Sequence, residues 1–156
     1  MRLDRRSALG LMGSGAVLPI GAVHAATPAR AAFRHGVASG DPTASGAILW
    51  TRVTPADPAH GTPIPVTWHV ATQPEGKPVE SGEGEARPGR DFTLKVEPRT
   101  LAPGRDHWFW FELADGTRSP VGRFRTLPMG KADDLVLAVA SCQLYPGGFF
   151  NAWDSL

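Results

Sequence analysis

Glycine and proline cut residues 33–127 into short runs, and this restricts the fold more than any other feature. The chain carries 18 Gly and 15 Pro in 156 residues. Gly reaches backbone angles closed to other residues, and Pro fixes φ and withholds an N–H, so both punctuate regular structure. The runs left between them are apolar or alternating, which is the pattern of strands.

Residues 33–37 are the first candidate strand, and 38–43, Ala-Ser-Gly-Asp-Pro-Thr, carry turn chemistry. Residues 47–53 form a strong strand, broken by the Pro-rich stretch 55–63. In 66–71 alternation places Val66, Trp68 and Val70 on one face. Residues 78–86 form a weaker edge strand, within which Gly82-Glu83-Gly84 is expected as an exposed turn. In 92–96, Phe92, Leu94 and Val96 point in, and Thr93 and Lys95 point out. Residues 107–113 are aromatic on both faces, which predicts a central strand. Asp115-Gly116 is a turn signal, and 121–126 is the last strand.

About seven strands at this spacing predict a mainly β fold, an immunoglobulin-like or fibronectin type III-like β-sandwich over 33–127. Leu101-Ala102-Pro103-Gly104 resembles the fibronectin-like lead-in to a sixth strand. The corner tyrosine of such sandwiches would fall at His107, which leaves its hydrogen bond in question.

Five Trp and seven Phe supply aromatic mass for a core. The formal net charge of +1 indicates neither a nucleic-acid surface nor an acidic tail. His35, His60, His69 and His107 show no metal-ligand spacing and read as surface or core residues. Phosphate-cradling glycine signatures are absent. A single cysteine excludes an intrachain disulfide.

Residues 1–26 read as an export signal. A basic start, Met1-Arg2-Leu3-Asp4-Arg5-Arg6, precedes an apolar stretch over 8–20 interrupted by Gly10, Gly13 and Gly15. Ala22-Val23-His24-Ala25 offers small residues before a cut after Ala25. The stretch is too short and too glycine-rich for a stable membrane span. Arg5-Arg6 followed by Ser7-Ala8-Leu9 resembles the twin-arginine signal, with an ordinary secretory signal as the other reading. Either route leads to a periplasmic or secreted protein, and the first makes the twin-arginine translocase a partner. Cleavage leaves thirteen Lys and Arg against fourteen Asp and Glu, a net charge of −1. Residues 27–32 are expected as a linker.

After Leu127 the pattern changes. Residues 128–134 read as a second linker, and 135–140 form an unbroken apolar run, as in a strand buried on both faces of a parallel or mixed sheet. Ser141-Cys142-Gln143 ends it, Pro146-Gly147-Gly148 turns, and Phe149-Phe150-Asn151-Ala152-Trp153 begins an amphipathic helix. This is one βα unit, 135–156, the truncated start of an α/β domain. Cys142 stands at the strand tip, where α/β enzymes place their chemistry. It is a metal ligand, a nucleophile lacking a base in its own segment, or an inert buried thiol.

Four stretches then converge. Phe33-Arg34-His35-Gly36-Val37-Ala38-Ser39-Gly40-Asp41-Pro42, Ile48-Leu49-Trp50-Thr51-Arg52, Gly122-Arg123-Phe124-Arg125-Thr126 and Ala140-Ser141-Cys142-Gln143 together resemble the alkaline phosphatase D (PhoD-like) family. The resemblance implies an N-terminal sandwich ahead of a metallophosphatase domain. That domain carries Fe3+ and Ca2+ and hydrolyses phosphate mono- and diesters. It maps an iron ligand onto Cys142 and makes phosphate esters the substrates of the complete enzyme, expected as a monomer. The family's other ligands fall beyond Leu156, so this chain alone is expected to be inactive. The alternative is a self-contained exported sandwich that binds a partner or carbohydrate.

Overall fold

The sequence from Asp106 to Leu113 alternates residues that all have work on both faces, and it becomes the central strand of the larger of two sheets. A computed structural model describes residues 31–131, together with Asp134, Val136, Ala138, Val139 and Gly147. The strands are β1 (Val37–Gly40), β2 (Ile48–Arg52), β3 (Ile64–Ala71), β4 (Pro78–Ala86), β5 (Thr93–Val96), β6 (Asp106–Leu113) and β7 (Gly122–Arg125). A single 3-10 turn, Pro88–Arg90, precedes β5. The strands form two antiparallel sheets, β1-β2-β5 and β4-β3-β6-β7. The expected sandwich is present. Because β4 stays beside β3 and the chain crosses only afterwards to β5, the division is the fibronectin type III-like one, with no fourth strand on the first sheet among the described residues.

Alternation explains the core. On β6, His107, Phe109, Phe111 and Leu113 face inward and meet Leu49, Val66, Val70, Leu94 and Phe124 from the other strands. Phe109 sits edge-on to Phe111 at 6.2 Å and to Phe124 at 5.8 Å between ring centroids. Each such buried side chain stabilises by about 1.5–3 kcal/mol relative to exposure.

Three local expectations are corrected. The first strand is Val37–Gly40, not 33–37, because Gly36 at φ 69° closes a turn in which its N–H donates to the Phe33 carbonyl at 3.2 Å. Phe33 still enters the core, at 6% exposure. The expected turn over 38–43 therefore begins only at Asp41, at φ 45°, a conformation Asp tolerates better than most residues. Gly82-Glu83-Gly84 is no turn but the interior of β4, the edge strand expected there. A Cβ on Gly82 would lie 2.6 Å from the Trp68 ring, and one on Gly84 would lie 2.8 Å from Leu94. Glycine here lets large neighbours lie against the backbone.

The first expected linker, 27–32, gives up its last residue to the sandwich. Ala32 exchanges backbone bonds with Thr54 at 3.0 and 2.8 Å, so it is already tied to the described sandwich. At the other end Leu127 donates to Thr43 at 2.8 Å and accepts from Gly104 at 3.0 Å, and Pro128 to Lys131 are exposed. The expected signal (1–26), the amphipathic helix and half of the apolar run 135–140 lie outside the described residues. Val136 and Val139, which are described, are exposed. Among the described residues no helix is long and apolar enough to cross a membrane.

Candidate functional site

Cys142 lies outside the described residues, so the metal-ligand reading of it rests on sequence. Among the described residues no group of three or more His, Cys, Asp or Glu could hold a metal ion. The four described histidines are occupied otherwise. His35 lies against the Arg52 guanidinium at 3.2 and 3.4 Å. His60 bonds Thr62 at 3.1 Å and sits beside the Phe92 ring. His107 is buried against Phe124, and its Nε2 donates to the Ala102 carbonyl at 3.2 Å. The hydrogen bond of the missing corner tyrosine is thus made by the imidazole. Iron and calcium find no fit in this part of the chain.

His69 needs closer reading, because it stands on the outer face of β3 with a hydroxyl and a carboxylate nearby. Its Nδ1 is 2.9 Å from Ser81 Oγ, and its Nε2 is 3.9 Å from Glu112 Oε2. Burial, the largest effect, pushes the imidazole below its usual range, and Arg118 lowers it further against an opposing pull from Glu112. This is no nucleophilic triad. At 3.9 Å the carboxylate does not orient the ring, and it is already held by Arg118 at 2.7 Å. The ring instead stacks on Trp110 at 5.1 Å, while Arg118 lies over the same indole at 5.7 Å. Trp110 is therefore buried on the outside of its sheet, at 6% exposure, with Nε1 lacking a protein partner. His69, Pro74, Trp110, Arg118 and Val121 line a half-open cavity of about 500 Å3.

The second concavity lies where β4 and β5, the edge strands of the two sheets, face each other. It measures about 530 Å3 and is lined by Gly84, Glu85, Arg87, Arg90, Thr93 and Lys95. The 3-10 turn Pro88–Arg90 presents the arginines. Arg90 and Phe92 both donate to the Arg87 carbonyl, at 3.0 and 2.9 Å, and Asp91 donates to Pro88 at 3.0 Å. Asp91 and Phe92 take φ of 52° and 53°, an uncommon pair for residues other than glycine. Arg52 holds the turn by a two-pronged bond to the Asp91 carboxylate at 2.8 and 2.9 Å. That bond holds Asp91 below the usual carboxylate range and Arg52 above its own. Sequence reading missed this groove. The available signal was Pro88-Gly89 framed by Arg87 and Arg90, with Lys95 following on an edge strand.

The family described as "PhoD-like phosphatase, N-terminal domain" matches residues 20–128. Alkaline phosphatase D of Bacillus subtilis (strain 168) is 36% identical over 132 residues, which is 80% of this chain and 22% of that protein. A solved structure of PhoD superposes on 67% of this chain and 21% of its own, with a TM-score of 0.61 and 34% identity. The chain thus spans about a fifth of the length of these relatives.

Proposed function

The chain belongs to the PhoD-like phosphatases through their N-terminal domain, and from this premise we propose that it is the N-terminal part of an exported, metal-dependent enzyme acting on phosphate mono- and diesters. The observation that carries this is the 36% identity to an alkaline phosphatase D over 80% of the chain. The division proposed is a twin-arginine signal over 1–26, the sandwich over 33–127 and the start of the catalytic domain over 135–156. In this reading Cys142 is an iron ligand at the tip of the first catalytic strand. Fe3+ and Ca2+ would supply Lewis-acid chemistry at a phosphoryl oxygen. One ligand does not make a metal site, and the described residues add none, so the isolated chain binds these ions weakly and is inactive. The sandwich contributes structure and surface rather than catalytic groups.

The activity test is direct. The purified chain, supplied with Fe3+ and Ca2+, should not hydrolyse bis(p-nitrophenyl) phosphate, and measurable turnover would overturn the inactivity of this piece. The enzyme reading is tested separately by the nucleotides after codon 156, which should continue into further metal-binding carboxylates. Unrelated sequence there would sink the enzyme reading. Export is tested by Arg5→Lys together with Arg6→Lys, which should hold the precursor in the cytoplasm. Undiminished export would assign an ordinary secretory signal.

A second reading, an exported sandwich that binds a partner by itself, is supported by the closure of one core within residues 31–127. It would be favoured by a ligand that residues 27–131 bind as tightly as the whole chain does.

A further inference from the structure

We propose that the groove between β4 and β5 receives an extended acidic peptide, which adds as a strand to the free edge of β5. Three independent observations meet here. The first is the edge itself. Val53 donates to the Phe92 carbonyl at 3.1 Å, so residues 53 and 92 form a hydrogen-bonded pair. Antiparallel alternation then makes Thr51 and Leu94 the next such pair and leaves Arg52 opposite Thr93, and Trp50 opposite Lys95, as non-bonded pairs. The backbone N–H and C=O of Thr93 and Lys95 therefore point away from β2, toward the side where β4 lies across the groove.

The second is charge. Arg87, Arg90 and Lys95 line the groove against one carboxylate, Glu85, which Arg87 already binds at 2.8 Å. Neither Arg90 nor Lys95 has an ion-pair partner among the described residues. The third is space, about 530 Å3 directly beside that edge.

A lysine on an edge strand ordinarily discourages pairing. Here, with the two arginines, it makes pairing selective. A neutral strand would bury the cations without compensation, while an acidic one supplies both the backbone partners and the opposite charge. Strand addition draws affinity from main-chain bonds and specificity from alternate side chains. The Arg52–Asp91 bond is the positioning element, since it fixes the turn that carries Arg87 and Arg90 to the groove's rim.

The test uses the whole chain and a labelled octapeptide of alternating Glu and Val, followed by fluorescence anisotropy and by amide NMR. Saturable, salt-sensitive binding is expected, with the amides of Thr93 and Lys95 becoming protected from exchange. The same peptide with Gln for Glu should bind roughly fivefold more weakly, as should the double variant R90E/K95E. Should that variant be destabilised, Arg90→Gln and Lys95→Gln taken singly preserve the comparison, because no backbone bond of the turn depends on those side chains. Absence of binding overturns the proposal. So does equal competition by inorganic polyphosphate without protection of the two amides, which would reveal a general polyanion patch.

Discussion

His107 Nε2 donates to the carbonyl oxygen of Ala102, five residues upstream, at 3.2 Å, and Thr126 Oγ1 donates to the same oxygen at 2.7 Å. One shared acceptor thus ties the start of β6 and the residue after β7 to the loop that precedes β6. His107 and Thr126 are both 1% exposed, so water does not replace either donor. His107→Leu should cost about 1 kcal/mol, since the oxygen keeps one partner, and Thr126→Val somewhat more, since it also removes the acceptor of the Arg105 N–H at 3.1 Å. The double variant orphans it and should cost about 1 kcal/mol more than the two single losses combined. Urea unfolding of the four proteins measures this, and strict additivity would show that the shared acceptor does not couple them. His107→Tyr, which can restore a hydroxyl donor, should be milder than His107→Leu.

Gly46 lies in the loop between β1 and β2, and a Cβ there would stand 1.8 Å from the Pro98 carbonyl oxygen. The obstacle is backbone. Two further bonds hold the loop, Thr43 N–H to the Gly46 carbonyl at 2.8 Å and Leu101 N–H to the Ser45 carbonyl at 2.9 Å. Neither side can give without breaking these. Gly46→Ala should therefore cost about 3 kcal/mol, at the upper end of overpacking penalties, and lower Tm on the order of 15 °C. Gly89→Ala, where a Cβ meets nothing within 4 Å, is the control and should leave Tm nearly unchanged. Similar Tm values for the two variants would refute the contact.

Legibility followed the physical range of each determinant. β3 and β5 are readable because period-2 alternation is local: Val66 and Val70 on β3, and Leu94 on β5, carry the pattern and are buried, while β6 is readable from its aromatic residues on both faces. β1 was misplaced because its start depends on one angle, φ at Gly36, which composition does not reveal. Gly82 and Gly84 looked like turn residues because the reason for them, the Trp68 ring and Leu94, comes from other strands. The same holds for the groove, whose cations meet only after β4, the 3-10 turn and β5 converge. His107 shows a subtler limit, for a hydrogen bond survived the loss of its usual residue. Cys142 was conspicuous in sequence by its place after an apolar run, and its role depends on residues the described sandwich does not contain.

Glu80 reaches from β4 to the segment after β5. Its carboxylate accepts from Arg99 N–H at 3.1 Å, Thr100 N–H at 3.1 Å and Thr100 Oγ1 at 2.8 Å. These bonds join the edge of one sheet to the far sheet's exit loop, where few others cross. Glu80→Ala should cost about 1–2 kcal/mol and raise exchange at the amides of Arg99 and Thr100. Glu80→Gln keeps one acceptor oxygen and should recover part of the loss. Unchanged exchange in the alanine variant would mean that the loop is held from elsewhere.

His69 predicts an acid limit to stability. Burial is the main cause that lowers its folded-state value below the unfolded 6.5, so the unfolded chain binds the proton more readily. In the window below pH 6.5 the unfolded state holds more protons, and stability falls as pH falls until the folded imidazole is itself protonated. Above pH 6.5 the contribution is fully present and constant. The neutral ring keeps its Ser81 bond and its stack on Trp110, while a cation there would be repelled by Arg118, which lies against the same indole. His69→Gln keeps a polar group near Ser81 and cannot titrate. Its Tm should therefore decline less than that of the parent between pH 7 and pH 5, whereas Glu112→Gln, which removes the one nearby charge favouring the cation, should steepen the parent's decline. Parallel Tm curves for the parent and His69→Gln would place the acid sensitivity on other groups.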